Sequence, residues 1–233
     1  MSYLLSILLL LNFASPLASR QQQKTDPASK LVQFHMAILK KGPKWTATAT
    51  KETEAMHKAH MERAQSLLES GKAVVAGPFA DDGDIRGIYI FRAASAEEAK
   101  AWAEADPAVA SGHLIAEMHP WWSEDHFKKA DTPLKLSTVY LAFLLQGPFK
   151  PATPEAGAEL QKAHMANIYR LAEMKKLIVA GPFGDNGTLR GIFVFRVSSL
   201  EEAKILTETD PAVKAGRLIL DLHPWQVPEG SLP

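Results

Sequence analysis

The stretch AGPFADDGDIRGIYIFR at residues 76–92 returns 104 residues later as AGPFGDNGTLRGIFVFR at 180–196. The same offset links residues on both sides of it. His60-Met61 returns as His164-Met165, Glu97-Glu98-Ala99-Lys100 as Glu201-Glu202-Ala203-Lys204, and Asp106-Pro107-Ala108-Val109 as Asp210-Pro211-Ala212-Val213. His119-Pro120-Trp121 returns as His223-Pro224-Trp225. A single long period of this kind marks duplication of a whole domain, whereas a solenoid repeats much shorter units. One extra residue in the first copy's early loop moves the offset to 105 upstream, so Gly42-Pro43 faces Gly147-Pro148.

Each copy reads as the same string of elements. Residues 31–39 and 138–145 are apolar and rich in β-branched or aromatic residues, as strands are. Helical spacing follows, with Met56, His60, Ala64 and Leu67 on one stripe and Leu160, His164, Ile168 and Leu171 on its counterpart. Gly71 suits the position just past a helix end, and Thr153-Pro154-Glu155 is a helix start. Two strands joined at Asp82-Gly83, or Asn186-Gly187, form a hairpin. Gly-Pro within AGPF reads as a turn device. Ser95-x-x-Glu98 and Ser199-x-x-Glu202 are capping boxes that open a second helix, and Asp-Pro stops it. Last strands span 113–119 and 217–223. The order βαββαβ predicts an α+β fold: two ferredoxin-like domains, each an antiparallel sheet with both helices on one face. The bare sheet faces can cover each other, which predicts an intrachain pseudo-dimer with an α/β-barrel-like arrangement.

The domain plan is residues 31–121 and 138–226, joined by a linker at 122–137 and followed by a tail at 227–233. Residues 3–13 (YLLSILLLLNF) form an apolar run of about 11 residues, short of the roughly 20 a membrane span requires. With the small residues from Ala14 to Ser19 it fits a signal peptide over 1–19, followed by a flexible spacer at 20–30. The expected destination is secreted or periplasmic, without a membrane anchor once the leader is cleaved. The 233-residue chain carries zero formal net charge and no basic stripe, so nucleic acid is not an expected partner. It has no cysteine, which excludes disulfides and thiolate chemistry.

The ordered set HM, AGPF, D-x-G, RGI, F-R, S-x-E-E-A, DPAV and HPW, present twice, resembles the YCII-related domain family over about 31–121 and 138–225. Members are small ferredoxin-like domains that usually form dimeric α/β barrels and are related to muconolactone isomerase. The resemblance implies a His–Asp pair as active site. That pair falls on His60 and Asp106 in the first copy and on His164 and Asp210 in the second. The family's H-x-x-H-M is complete as His57 and His60, but Gln161 stands in place of His57 in the second copy.

The residues themselves leave two readings open. His60 and His164 sit on apolar helix stripes, and a buried imidazole needs a partner, since an unpaired buried polar group costs about 1–3 kcal/mol. A carboxylate on one ring nitrogen fixes the tautomer and leaves the other nitrogen for general acid–base work. The same pair can also be a core hydrogen bond between helices, and Asp-Pro satisfies local backbone by itself. Glu117, His119 and Trp121, with Asp221, His223 and Trp225, alternate onto the sheet face away from the helices. There they line either a ligand cleft or the polar part of the contact between copies. Arg86 and Arg190 are candidates for a substrate carboxylate.

Three of the first copy's histidines, His35, His57 and His113, have no counterpart in the second. No metal-binding spacing and no cofactor fingerprint occur, so neither metal nor cofactor is expected. The expected function is a lyase or isomerase acting on a small organic acid or lactone-like molecule. The alternative is a non-catalytic ligand-binding or assembly module, and either leaves room for a higher oligomer.

Overall fold

The computed structural model describes residues 31–131, 133–185 and 187–233. The leader, the spacer and Asn186 of the second hairpin turn lie outside the described residues. Repeat one runs β1 (Leu31–Lys41), α1 (Lys51–Glu69), β2 (Ala73–Pro78), β3 (Ile85–Phe91), α2 (Ala96–Glu104), α3 (Pro107–Ala110) and β4 (Leu114–Glu124). Repeat two runs β5 (Leu136–Gln146), α4 (Pro154–Glu173), β6 (Leu177–Pro182), β7 (Leu189–Phe195), α5 (Leu200–Glu208), α6 (Pro211–Lys214) and β8 (Leu218–Pro228). Both sheets are antiparallel, in the orders β2-β3-β1-β4 and β6-β7-β5-β8. These are two ferredoxin-like domains. Among the described residues no helix is long and apolar enough to cross a membrane.

Alternation along the strands divides the apolar residues between two cores. Ala37 and Leu39 face α1 and α2, with Leu67 and Ala103, and repeat two matches this with Ala142, Leu144, Ile168 and Ala203. The opposite sheet faces meet each other: Phe34, Met36, Ile38 and Trp121 share one buried cluster with Leu141, Phe143 and Trp225. The sheet edges also meet. Bridges join Phe79 to Trp225 and Trp121 to Phe183, so β2 abuts β8 and β6 abuts β4. Ala80 N–H donates to Pro224 O at 2.8 Å, and Gly184 N–H donates to Pro120 O at 2.9 Å. The eight strands thereby close into a barrel, which leaves neither sheet an open edge.

Closure explains the AGPF segment better than a turn does. Gly77 and Pro78 lie within β2, and a Cβ on Gly77 would sit 1.7 Å from Gln226 O. On Gly181 it would sit 1.9 Å from Trp122 O. Glycine is needed there because the backbone of the other repeat approaches too closely for any side chain. Each tryptophan indole then donates across the seam: Trp121 Nε1 to Gly181 O and Trp225 Nε1 to Gly77 O, both at 3.1 Å.

Three boundaries differ from the sequence reading. β4 continues to Glu124 and β5 starts at Leu136, so the connection is 125–135 and shorter than expected. Pairing with the first strand of the same repeat carries β4 and β8 beyond the HPW segments, 122–124 against 31–33 and 226–228 against 136–138. The tail is packed as well: Val227 and Pro228 belong to β8, and Leu232 is buried. Asp-Pro also does more than stop a helix, because Asp106 and Asp210 are N-caps of the short helices α3 and α6.

Trp121 and Trp225 are fully buried in the shared core, so either tryptophan-to-alanine change should cost about 3–5 kcal/mol. Because the two repeats share that core, both should unfold in one cooperative urea transition with a lowered midpoint. Separate transitions for the two repeats would contradict the shared core.

Candidate active site

α1 crosses the helix-facing side of the first sheet and carries His60 inward. The helix is held at its start by Thr50, whose hydroxyl accepts from Thr53 N–H while the Thr53 side chain accepts from Thr50 N–H. Asp106 arrives from the α2–α3 junction, where the extended conformation before Pro107 turns its side chain back over the new helix. Its Oδ1 accepts from Ala108 N–H at 2.9 Å. Both carboxylate oxygens lie 2.8 Å from His60 Nδ1. Tyr89, on β3, donates its hydroxyl to Asp106 Oδ2 at 2.7 Å.

Asp106 is completely buried and every contact it makes is with a donor. Burial by itself pushes its carboxyl up. The hydrogen bond and charge of His60, the Tyr89 hydroxyl and the Ala108 N–H together outweigh that and hold it below the ordinary aspartate value. Burial raises the Tyr89 phenol, and the Asp106 charge and hydrogen bond raise it further. Tyr89 therefore stays un-ionised and remains a donor. An ionised Asp106 can only accept, so His60 carries its hydrogen on Nδ1. Nε2 is left as the basic nitrogen.

The His60 side chain lines a cavity of about 460 Å³, to which Tyr89, Arg86 and Trp45 also contribute walls. Leu136 and Pro228 of repeat two and Leu134 of the connection complete the lining. The Arg86 guanidinium lies 5.2 Å from the Trp45 ring. Its NH1 donates to Asp81 O at 2.6 Å and to Gly83 O at 3.2 Å, which fixes a positive charge at the cavity wall. His57 is exposed at the same cavity, with its ring 6.3 Å from that of His60. His113 lines it as well, with Nδ1 2.9 Å from Ser111 Oγ.

Repeat two repeats the centre of this arrangement. His164 Nδ1 lies 2.9 and 2.8 Å from the two oxygens of Asp210, which is fully buried and accepts from Ala212 N–H at 2.8 Å. The other candidate residues are placed differently. His119 and His223 do not line the His60 cavity. They pair across the seam, His119 Nδ1 with Asp185 Oδ2 at 2.6 Å and His223 Nδ1 with Asp81 Oδ2 at 2.7 Å. They therefore belong to the contact between repeats, with Asp221 Oδ1 a further 3.1 Å from His223 Nε2. Arg190 is exposed. The first copy's five repeat-domain histidines do not converge, and among the described residues no group of three or more His, Asp or Glu is arranged to hold a metal.

Sequence reasoning missed Tyr89 and the pairing role of Asp81 and Asp185. The aspartates recur in both copies, which was the available signal, but their partners lie 142 and 66 residues away in the other repeat. Tyr89 has Phe193 as its counterpart and so appeared to be an ordinary core aromatic.

A closed barrel of two ferredoxin-like repeats, each with a buried aspartate holding a helix histidine, defines a tandem α/β-barrel domain protein. The chain belongs to the YCII-related domain family, which its sequence matches over residues 20–121 and 141–226. A search of the curated proteins returns no match. Among solved structures, it is similar to a variant of chlorite dismutase from Candidatus Nitrospira defluvii, with a TM-score of 0.54 and 12% identity over 84% of this chain and 91% of that chain. A second variant of that enzyme, in complex with cyanide, has a TM-score of 0.53 and 14% identity over 84% of this chain and 90% of that chain. At such identity the likeness is one of fold.

Because the folded-state carboxyl of Asp106 is lowered, its stabilisation is fully present above the unfolded aspartate value, about 3.9, and is lost as pH falls through the lower folded value. Asp106→Asn should therefore lower the thermal midpoint at pH 7. Its deficit should shrink as the pH is taken below about 4. A deficit independent of pH would show that Asp106 contributes no ionised stabilisation.

Proposed function

We propose that the protein is a small-molecule enzyme of the lyase or isomerase kind that uses a His–Asp pair as general acid and base. One observation carries the reading: His60 is held at Nδ1 by a buried carboxylate, which leaves Nε2 unheld, and the residue lines a cavity large enough for a small organic molecule. Nε2 would take a proton from carbon next to a carbonyl, leaving the electron pair in an enolate. Returning that proton to a different carbon gives isomerisation. Departure of a leaving group with the electron pair gives elimination. Asp106 would stabilise the imidazolium in the intervening state, and Arg86 would hold a substrate carboxylate.

The mostly apolar walls and the arginine support a small organic acid or lactone-like substrate. Family membership supports the same site, since the paired residues are those on which the family's motifs fall. In the non-catalytic alternative the cavity would bind a ligand without turning it over.

The test is exchange of carbon-bound hydrogen for deuterium in a panel of small keto acids, enol lactones and halogenated or hydroxylated aromatic acids, followed by NMR. His60→Ala should reduce exchange about 10²–10⁴-fold, the usual contribution of a positioned acid–base group, in a protein that remains folded at the assay temperature. Binding without exchange across the panel, or exchange untouched by His60→Ala, would defeat the proposal.

A further inference from the structure

The two His–Asp pairs are alike at their centres and different at their edges. Asp106 takes its third donor from the sheet, through Tyr89 OH. The equivalent Phe193 has no hydroxyl, and its ring stacks on His164 at 5.9 Å with the planes 19° apart. The lost donor is replaced from the helix: Asn167 Nδ2 donates to Asp210 Oδ2 at 3.3 Å. Asn167 stands where repeat one has Arg63. Exchanging a Tyr–Arg pair for a Phe–Asn pair thus keeps a side-chain donor on each buried carboxylate besides its histidine.

The replacement also turns the network round. In repeat one it runs onto the sheet, and both His60 and Tyr89 line the cavity. In repeat two it runs away from the sheet. Asn167 Oδ1 accepts from Arg170 at 2.7 Å and from the Thr209 hydroxyl at 3.0 Å, and Arg170 also donates to Thr209 Oγ1 at 2.9 Å. Thr209 is the C-cap of α5, so the network ties α4 to the junction between α5 and α6. Ser66 and Ala105 occupy the places of Arg170 and Thr209 in repeat one, and Ala105 has no side-chain polar group to join such a network.

The surroundings of the imidazoles diverge in the same direction. Buried Ile168 replaces Ala64, which lines the cavity. Gln161 replaces His57, and Lys150 replaces Trp45. The His164 side chain is less exposed than that of His60, 12% against 18%.

We infer that the duplication has divided the labour: repeat one holds the reactive imidazole, with Tyr89 as its positioning residue acting through Asp106. His164, Asp210 and Asn167 form a helix fastener, and repeat two serves the reactive site by supplying part of the cavity wall. This inference rests on the proton-transfer reading for what the imidazole does, and on geometry for which imidazole it is. The un-ionised state of Tyr89 agrees with a permanent donor role.

The experiment is acylation of the intact chain with diethyl pyrocarbonate, quantified histidine by histidine from peptide masses. Imidazole Nε2 bonds to the reagent's carbonyl carbon, the C–O bond breaks, and the departing ethyl carbonate takes up the Nδ1 proton. The rate therefore reads both access and the Asp106 hydrogen bond. His60 should react about tenfold faster than His164, whose side chain is the less exposed and whose helix is tied down by the Asn167 network. Tyr89→Phe should slow His60 severalfold, and adding Arg63→Asn, which transplants the repeat-two donor, should restore the rate. His164→Ala should lower the thermal midpoint about 5 °C more than His60→Ala, and Asn167→Ala should reproduce that loss if His164→Ala does not fold.

Equal acylation of the two histidines, an unchanged His60 rate in Tyr89→Phe, or equal thermal losses would each overturn the inference. A fast His60 with no exchange on any compound would leave this division standing and remove only the proton-transfer reading. Equal acylation with exchange lost in His60→Ala would do the reverse.

Discussion

The structure depends on one constraint: each four-stranded sheet has an apolar face that its own helices do not cover. Packing the two faces together buries Phe34, Met36, Ile38, Leu141 and Phe143 in a single cluster. Trp121 and Trp225 fix the register, since each indole must reach a glycine carbonyl of the other repeat. That requirement explains the glycine of AGPF, the bridges at Phe79 and Phe183 and the His–Asp pairs across the seam. The cavity beside His60 is a consequence of the same packing, because Leu136 and Pro228 reach it only when repeat two is docked.

Within that frame the buried aspartates are the most demanding groups. A carboxylate without exposure is tolerated only if donors surround it. Both repeats meet this demand with a helix-capping backbone N–H and an imidazole. They differ in the further donor, a phenol from the sheet or an amide from the helix. The choice matters beyond charge compensation, because a donor on the sheet leaves the imidazole beside open space and a donor on the helix ties it into helix packing.

How much was legible in the sequence follows from the range of each interaction. The stripe of α1 and the Asp-Pro step are local patterns that placed His60 and Asp106, and their recurrence as His164 and Asp210 repeated the signal, but it was the resemblance to the YCII-related family that singled them out as a pair. The extents of β4 and β5 could not be read, because residues 122–124 are strand by pairing with 31–33, and 136–137 by pairing with 227–228, partners about 90 residues away in the chain. His119 and His223 were legible as residues of the exposed sheet face. Whether that face met a ligand or another protein surface depended on partners in the opposite repeat. Lys175 shows the limit from the other side. It adopts a left-handed backbone at φ 57°, the place where Gly71 ends the equivalent helix, and nothing in its local sequence marks that strain.

The sequence by itself determined the duplication, the βαββαβ order of each copy, and the presence of a histidine and an aspartate on adjacent helices. All of these rest on local periodicity, capping and turn chemistry, which act over a few residues. Only the tertiary structure decided that the barrel closes through Trp121 and Trp225, that Tyr89 completes one carboxylate and Asn167 the other, and that the cavity beside His60 borrows its wall from repeat two. Those outcomes depend on which side chains meet across tens of residues of chain, and that is settled by the burial of two apolar sheet faces against each other.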